Sequence, residues 1–359
     1  MRYIGNKESV IGTISSILEK HNIVGNTFFD FFSGTSSVAK FYKKENYKIY
    51  SSDMMHFSYC LQKAYIENNS MPTFEKIIPK LPFLKDKDIP FSLFEEEKPL
   101  NRIIKYLNSI NGVEGFIYIN YSPEGSCDID IPRMYFSTEN AKKIDAIRIE
   151  IENWYSQKLL LDNEYYILLA VLLESVSLYS NISGVYGAFN KRWDARALKE
   201  FRLREIELIY NEKNNLSYNE DSLNLLDKIS DIDILYLDPP YNSRQYAPNY
   251  HILETISRYD NPDIKGVTGL RDYKNQKSKF CNKKTAYCEL ENILKKAKAK
   301  YIVLSYNNEG IMNDETIKKI FMKYGELIFE NFSYKRFNSN QKGNQFVKEQ
   351  LYILIKGKF

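Results

Sequence analysis

The chain has 359 residues, of which 43% are hydrophobic and 27% charged, with a formal net charge of +4. This is ordinary globular composition, enough for one large domain or two modest ones, and its slight basic excess is compatible with a polyanionic partner without demanding one. Four cysteines (Cys60, Cys127, Cys281, Cys288) form no C-x-x-C pair and only three histidines are present, which disfavours disulfide, iron-sulfur and metal chemistry. The apolar stretch 165–173 is too short to cross a bilayer and Glu174 interrupts its continuation. The start, Met1 to Lys7, lacks an apolar signal core, so the chain reads as cytoplasmic, with no membrane association and no metal.

Val10, Ile11, Ile14, Ile17 and Leu18 recur at three- and four-residue spacing and predict an amphipathic helix ending before Gly25. Residues 27–32 predict a short buried strand, Ser33-Gly34-Thr35 a turn, 36–44 a helix, and 47–51 a second strand running out towards Asp53. Strand, turn, helix, strand is the opening of a doubly wound α/β sheet. Five of the eleven prolines fall between Met71 and Leu100, where a parallel-sheet pattern cannot continue, so a boundary is expected near residue 70. Beyond Gly125, Ile144, Ile147, Ile151 and Trp154 share one helix face, and 165–179 predicts a more buried helix. From about residue 215 the α/β alternation returns. Residues 232–237 predict an apolar strand, 250–258 a helix and 301–305 a buried strand, while 327–337 and 350–356 flank a polar loop as an antiparallel hairpin at the end of the sheet. The expected organisation is a doubly wound α/β sheet in residues 1–70 and 215–359 carrying an inserted, mainly helical region over 71–214.

Asp238-Pro239-Pro240-Tyr241 follows directly on the strand 232–237 and therefore lies at a strand's carboxyl end, where open α/β sheets place their ligands. With each residue at roughly 5% usage, a given tetrapeptide arises by chance in a chain of this length with odds on the order of a few in a thousand. The carboxylate of Asp238 and the carbonyl of Pro239 are two fixed acceptors, two prolines stiffen the turn without adding donors, and Tyr241 offers a face for stacking. A ring-conjugated amine such as the adenine amino group is a poor nucleophile, and drawing both of its hydrogens into fixed acceptors is what its activation requires. A strand ended by a proline turn with a solvated aspartate would show the same four residues, so the surrounding pattern has to discriminate.

That pattern is an ordered set: Arg2-Tyr3-Ile4-Gly5-Asn6-Lys7, then Asp30-Phe31-Phe32-Ser33-Gly34-Thr35, then Ser52-Asp53, and after a long insert Asp238-Pro239-Pro240-Tyr241. Over most of the chain it resembles the Dam-like family of adenine-N6 DNA methyltransferases. The segments 184–189, 242–246 and 304–310 resemble the branch of that family found in type II restriction-modification systems. The resemblance implies a Rossmann-like fold that binds S-adenosylmethionine, with roles carried over residue by residue. Tyr3 and Lys7 would hold the cofactor. Asp30 and Phe32-x-Gly34 belong to the first glycine loop, where a missing side chain lets the backbone approach the methionine moiety. Ser36 stands where the fuller form of that loop has a second glycine. Asp53 would receive the ribose hydroxyls, although a helix cap would use the same residue, and Asp221 would lie near the cofactor's adenine. Asp238, Pro239, Pro240 and Tyr241 would be catalytic.

The chain between Asp53 and Asp238 is far longer than one helix and one strand need, and this is where the family carries target recognition. Lys191, Arg192 and Trp193, with Arg196, Arg202 and Arg204, and Arg244 beyond the catalytic motif, combine basic and aromatic side chains suited to phosphate contacts; a solvated helix face would look the same. The implied activity is direct in-line methyl transfer to an adenine flipped out of double-stranded DNA, by a monomer serving as the modification enzyme beside a cognate endonuclease. None of the four cysteines follows a proline, so the thiol motif of a covalent mechanism is missing. Two other readings stand beside it. One is an RNA or protein-amide N-methyltransferase on the same fold, whose relatives place the motif much sooner after the ribose-binding acid and lack the N-terminal element. The other is a non-catalytic DNA-binding specificity protein, against which the intact Asp53, Asp238 and Tyr241 speak.

Overall fold

Seven strands form one sheet: β1 (Thr27–Asp30), β2 (Lys48–Ser52), β3 (Leu216–Tyr218), β4 (Ile232–Leu237), β5 (Ala299–Asn307), β6 (Glu326–Lys335) and β7 (Phe346–Ile355), in spatial order β3-β2-β1-β4-β5-β7-β6. They belong to a computed structural model that describes Tyr3 and residues 5–81, 97–335 and 346–356. Phe28 and Phe29 point to opposite faces of β1 and both are fully buried, and every residue of β4 is buried too, the signature of parallel strands covered on both sides. β3, β2, β1, β4 and β5 run parallel, and β7 runs antiparallel between β5 and β6.

The strand order reverses between β1 and β4, so the crevice at their carboxyl ends is the topological switch point of the sheet. The register sets Asp30 opposite Tyr236, two residues before Asp238. One face of the sheet is closed by the helices Lys283–Lys296 and Asp314–Phe321, whose Leu290, Ile293, Leu294, Ile317 and Phe321 join Leu235, Leu237, Ile302 and Leu304 in the core. Each such fully buried side chain contributes about 1.5–3 kcal/mol relative to exposure.

The chain divides into two compact units. The sheet unit comprises Gly5–Gln62, Ile209–Ala247 and Tyr273–Phe359. The other comprises Met1–Ile4, Lys63–Leu208 and Pro248–Asp272, and includes the helices Pro99–Ser109, Phe116–Tyr121, Thr138–Ser156 and Asp162–Val176. Among the described residues of 63–208 there is no strand. Residues 248–272, which the sequence groups with the sheet, cluster here because buried arginines satisfy their carbonyls. Arg148 donates to the carbonyls of Ile256 and Ser257, and Arg133 to those of Gly266 and Val267.

Several boundaries differ from the expected ones. β1 stops at Asp30 rather than residue 32, because Ser33 already bonds through its N–H to the carbonyl of Ser52 and pulls the chain into the turn. The helix expected over 250–258 begins at Tyr246 and leaves helical geometry at Tyr250. In the C-terminal hairpin the second strand, not the first, docks on β5, which leaves β6 at the edge. Its loop and residues 336–337 lie outside the described residues, as do Arg2, Ile4 and residues 82–96 of the proline-rich stretch. Among the described residues no helix is long and apolar enough to cross a membrane, and no group of three or more His, Cys, Asp or Glu side chains is arranged to hold a metal ion.

Candidate active site

Asp238 to Tyr241 leave the carboxyl end of β4, and the end of β5 with the segment after it pins their backbone at Tyr241. The carbonyl of Tyr241 accepts hydrogen bonds from the N–H of Ile311 at 2.9 Å and the hydroxyl of Tyr306 at 3.4 Å. Pro239 is buried, and the Tyr241 ring is half-buried against the core. The Asp238 side chain is 18% exposed, and Lys7 Nζ lies 3.3 Å from its Oδ1. The same ammonium donates at 2.6 Å to Oε1 of Glu349 on β7, an oxygen that also accepts from the hydroxyl of Ser305 on β5. Lys7 is fixed at the start of the helix Ile11–Lys20, where its carbonyl accepts from the N–H groups of Val10 and Ile11.

Burial pushes the Asp238 carboxyl up to about 7, with Lys7 opposing that rise and the Glu349 carboxylate adding to it. Burial works against the charge on Lys7, but Asp238 and Glu349 outweigh it and hold the ammonium well above the usual lysine range. A carboxyl group poised near neutrality in a strand-end crevice is the type of group that takes and releases protons at physiological pH.

Asp30, at the end of β1, is fully buried and accepts from the Ser33 hydroxyl at 3.1 Å and the Ala39 N–H at 3.2 Å. Burial pushes it up to about 7, and the carboxylates of Asp238 and Asp53 push the same way. Asp53, following β2, accepts from the Gly34 N–H at 2.9 Å and the Met55 N–H at 2.8 Å, so it clasps the glycine loop. Gly34 (φ 51°) and Ser36 (φ 60°) both occupy the left-handed region. That accounts for the departure at Ser36: a position suited to glycine is held by serine, at a cost of roughly 1–2 kcal/mol. Phe32 is half-buried, set edge-on to Phe280 at 5.4 Å. Asp30 thus lies within electrostatic reach of both Asp238 and Asp53 at the strand ends, and the Lys7 ammonium is already paired. The arrangement fits a ligand that carries a positive charge beside sugar hydroxyls.

The family model described as D12 class N6 adenine-specific DNA methyltransferase matches residues 3–320. The chain belongs to this family. It is 37% identical to Modification methylase StsI of Streptococcus sanguinis, over 100% of this chain and 52% of that protein. It is 39% identical to Type II methyltransferase M.FokI of Planomicrobium okeanokoites, over 95% and 50% respectively. Type II methyltransferase M.NlaIII of Neisseria lactamica is 36% identical, over 99% of each chain. The chain therefore spans about half the length of the first two relatives and nearly all of the third.

In this member of the family the N-terminal pattern is divided between the two units. Lys7 belongs to the sheet unit, whereas Tyr3 belongs to the helical one, stacked on Tyr250 with ring centroids 4.4 Å apart. The Lys7 ammonium contacts Asp238 and Glu349. Asp221 is exposed and caps the helix Ser222–Leu225, accepting from the Leu223 N–H at 3.1 Å. Lys191 and Arg192 are exposed on the helical unit. Arg196 is exposed but turned onto Asp194, with Nε 3.0 Å from Oδ1, and Arg202 pairs with Glu200 at 2.8 Å. Arg244 is exposed on the sheet unit, three residues after Tyr241.

Glu349 and Ser305 are the side chains that sequence reasoning passed over. A signal for Glu349 was available: Val347, Glu349, Leu351 and Ile353 alternate, which puts a carboxylate on the buried face of a strand.

Proposed function

We propose that this chain is a site-specific DNA methyltransferase that moves a methyl group from S-adenosylmethionine to the N6 amino group of adenine, as the modification enzyme of a restriction-modification system. The observation that carries the reading is Asp238 at the carboxyl end of β4, half-shielded and held by Lys7, in a chain of the D12 class. Asp238 accepts one amino hydrogen and the carbonyl of Pro239 the other, which leaves the N6 lone pair free to attack, while Tyr241 stacks on the base. The proton that N6 must lose passes to the Asp238 carboxylate, whose elevated affinity suits that task near neutral pH.

S-adenosylmethionine, when bound, supplies a methyl group made electrophilic by the adjoining sulfonium. Asp30 and Asp53 would favour its positive charge, and Asp53, which clasps the glycine loop, would receive the ribose hydroxyls. Gly34 would let the backbone approach the methionine moiety, and Phe32, Tyr3 and Asp221 are the other residues assigned to the donor. Lys7 serves Asp238 first. The sheet unit serves as the catalytic domain, and the helical unit, which takes in residues 248–272 beside the inserted region, carries target recognition. Lys191, Arg192, Arg196 and Arg244 lie against DNA phosphates. Extruding the adenine costs a few kcal/mol, offset by stacking and backbone contacts. The protein works as a monomer in the cytoplasm, with double-stranded DNA as substrate and a cognate endonuclease as companion.

Labelled S-adenosylmethionine, incubated with the protein and unmethylated genomic DNA, tests this once the products are digested to nucleosides. Label in N6-methyladenine is the expected result. Label confined to RNA or protein would contradict the substrate, and binding of DNA with no affinity for the donor would contradict the reaction.

A further inference from the structure

Glu349 has an environment that ordinary packing does not explain. It is fully buried on the inward face of β7, its Oε1 accepts from both Lys7 and Ser305, and its Oε2 has no hydrogen-bond partner among the described residues. A buried carboxylate with one oxygen unsatisfied is costly unless it serves a neighbour. The neighbour is the ammonium that also touches Asp238, and that ammonium lies closer to Glu349 (2.6 Å) than to Asp238 (3.3 Å). Left with one carboxylate in a buried site, a lysine closes to about 2.7–2.9 Å and occupies the lone pairs it meets. Asp238 needs those lone pairs for the amine.

We propose that Glu349 is a positioning residue for methyl transfer, holding the Lys7 ammonium back on β7 so that Asp238 is oriented by the cation without being consumed in a closed ion pair. This rests on the reading of Asp238 given above. Every element around the cluster contributes a group that faces it: Lys7 from the N-terminal segment, Tyr236 and Asp238 from β4, Ser305 from β5, Tyr334 from β6, Asp30 from β1, and Tyr241 from the motif itself. Of these, Lys7 is the cation, so the distribution of its charge between Asp238 and Glu349 governs how available Asp238 is.

The test uses the full chain with Glu349→Gln, Lys7→Met and the double substitution. Single-turnover formation of N6-methyladenine on unmethylated duplex DNA is followed across pH, with donor affinity and thermal melts in parallel. Glu349→Gln should lower the plateau rate about tenfold or more, the scale of a small misplacement of a reacting group, and leave donor affinity within about twofold. Its acid limb should move to lower pH, because the full attraction of Lys7 then falls on Asp238. In the Lys7→Met background Glu349→Gln should cost no further rate. An unchanged plateau, or the same loss in both backgrounds, would overturn the proposal, since a merely structural role gives the latter. If Glu349→Gln melts below the assay temperature, Ser305→Ala carries the test: with Oε1 of Glu349 left to Lys7, an acid limb moved to higher pH supports the proposal and an unchanged profile overturns it. Full activity in Asp238→Asn would instead remove the reading of Asp238 itself, an outcome distinct from either.

Discussion

Lys7 Nζ lies 3.3 Å from Asp238 Oδ1, joining the first turn of the chain to the motif that follows β4. The family pattern gives Lys7 to the cofactor. The structure gives its ammonium to Asp238 and to Glu349, and the consequence is electrostatic: the cation sits beside the carboxylate whose ionisation the proposed reaction needs.

Methylation should therefore rise with pH as Asp238 ionises, with a midpoint near its elevated value of about 7. Lys7 opposes that elevation, so Lys7→Met should move the rise to higher pH. Single-turnover rates from pH 5 to 9 check this. An acid limb near pH 4 in the unaltered protein would count against the burial of Asp238 as its cause.

Stability should move the other way. Asp30 titrates at about 7 when folded and near its ordinary value of 3.8 when unfolded, so the folded chain binds the extra proton between those limits. Donor-free protein is then most stable on the acid side of that window and loses stability as pH rises through it. Asp30→Asn removes one such group, and the fall in melting temperature between pH 5 and pH 8 should be smaller than in the unaltered protein. An equal fall in both proteins would be incompatible with a buried, proton-retaining Asp30.

Asp53 clasps the N–H groups of Gly34 and Met55, so Asp53→Ala releases the loop and removes the carboxylate proposed for the ribose. Charge-assisted hydrogen bonds contribute about 1.5–3 kcal/mol each, which sets the expected loss of donor affinity at roughly ten- to a hundredfold. Calorimetric titration with S-adenosylmethionine reads it directly; an unchanged dissociation constant would leave Asp53 with only the loop to hold.

Ser36 tests the backbone account. At φ 60° it should tolerate glycine with a change in stability within about 1 kcal/mol, because glycine meets no penalty there. Ser36→Val should cost about 2 kcal/mol or more, since a β-branched side chain is a severe outlier at positive φ. Denaturant melts of the two variants decide. A harmless valine would mean that the turn is not held left-handed.

The strands that were legible share one property. β1, β2, β4 and β5 are short runs of aromatic and β-branched residues bounded by turn residues, and Asp30, Asp53 and Asp238 stand out because they end such runs. β3 has three residues, too few for a period. The helices Lys283–Lys296 and Asp314–Phe321 are rich in Lys and Glu, and their narrow apolar stripes became meaningful only against the face of the sheet. The grouping of residues 248–272 with the helical unit depends on where Arg133 and Arg148 send their donors, and a buried arginine is spelled like an exposed one. Glu349 was legible in principle, by alternation, but its link to Lys7 spans nearly the whole chain and appears only when β7 docks on β5.

The most direct test of the central claim is to compare the protein with its Asp238→Asn variant, counting N6-methyladenine per DNA duplex by nucleoside mass spectrometry after one turnover with saturating S-adenosylmethionine. The account expects product from the unaltered protein and a loss of at least a thousandfold, about 4 kcal/mol, in the variant, with donor binding intact. Comparable N6-methyladenine from both proteins would contradict it.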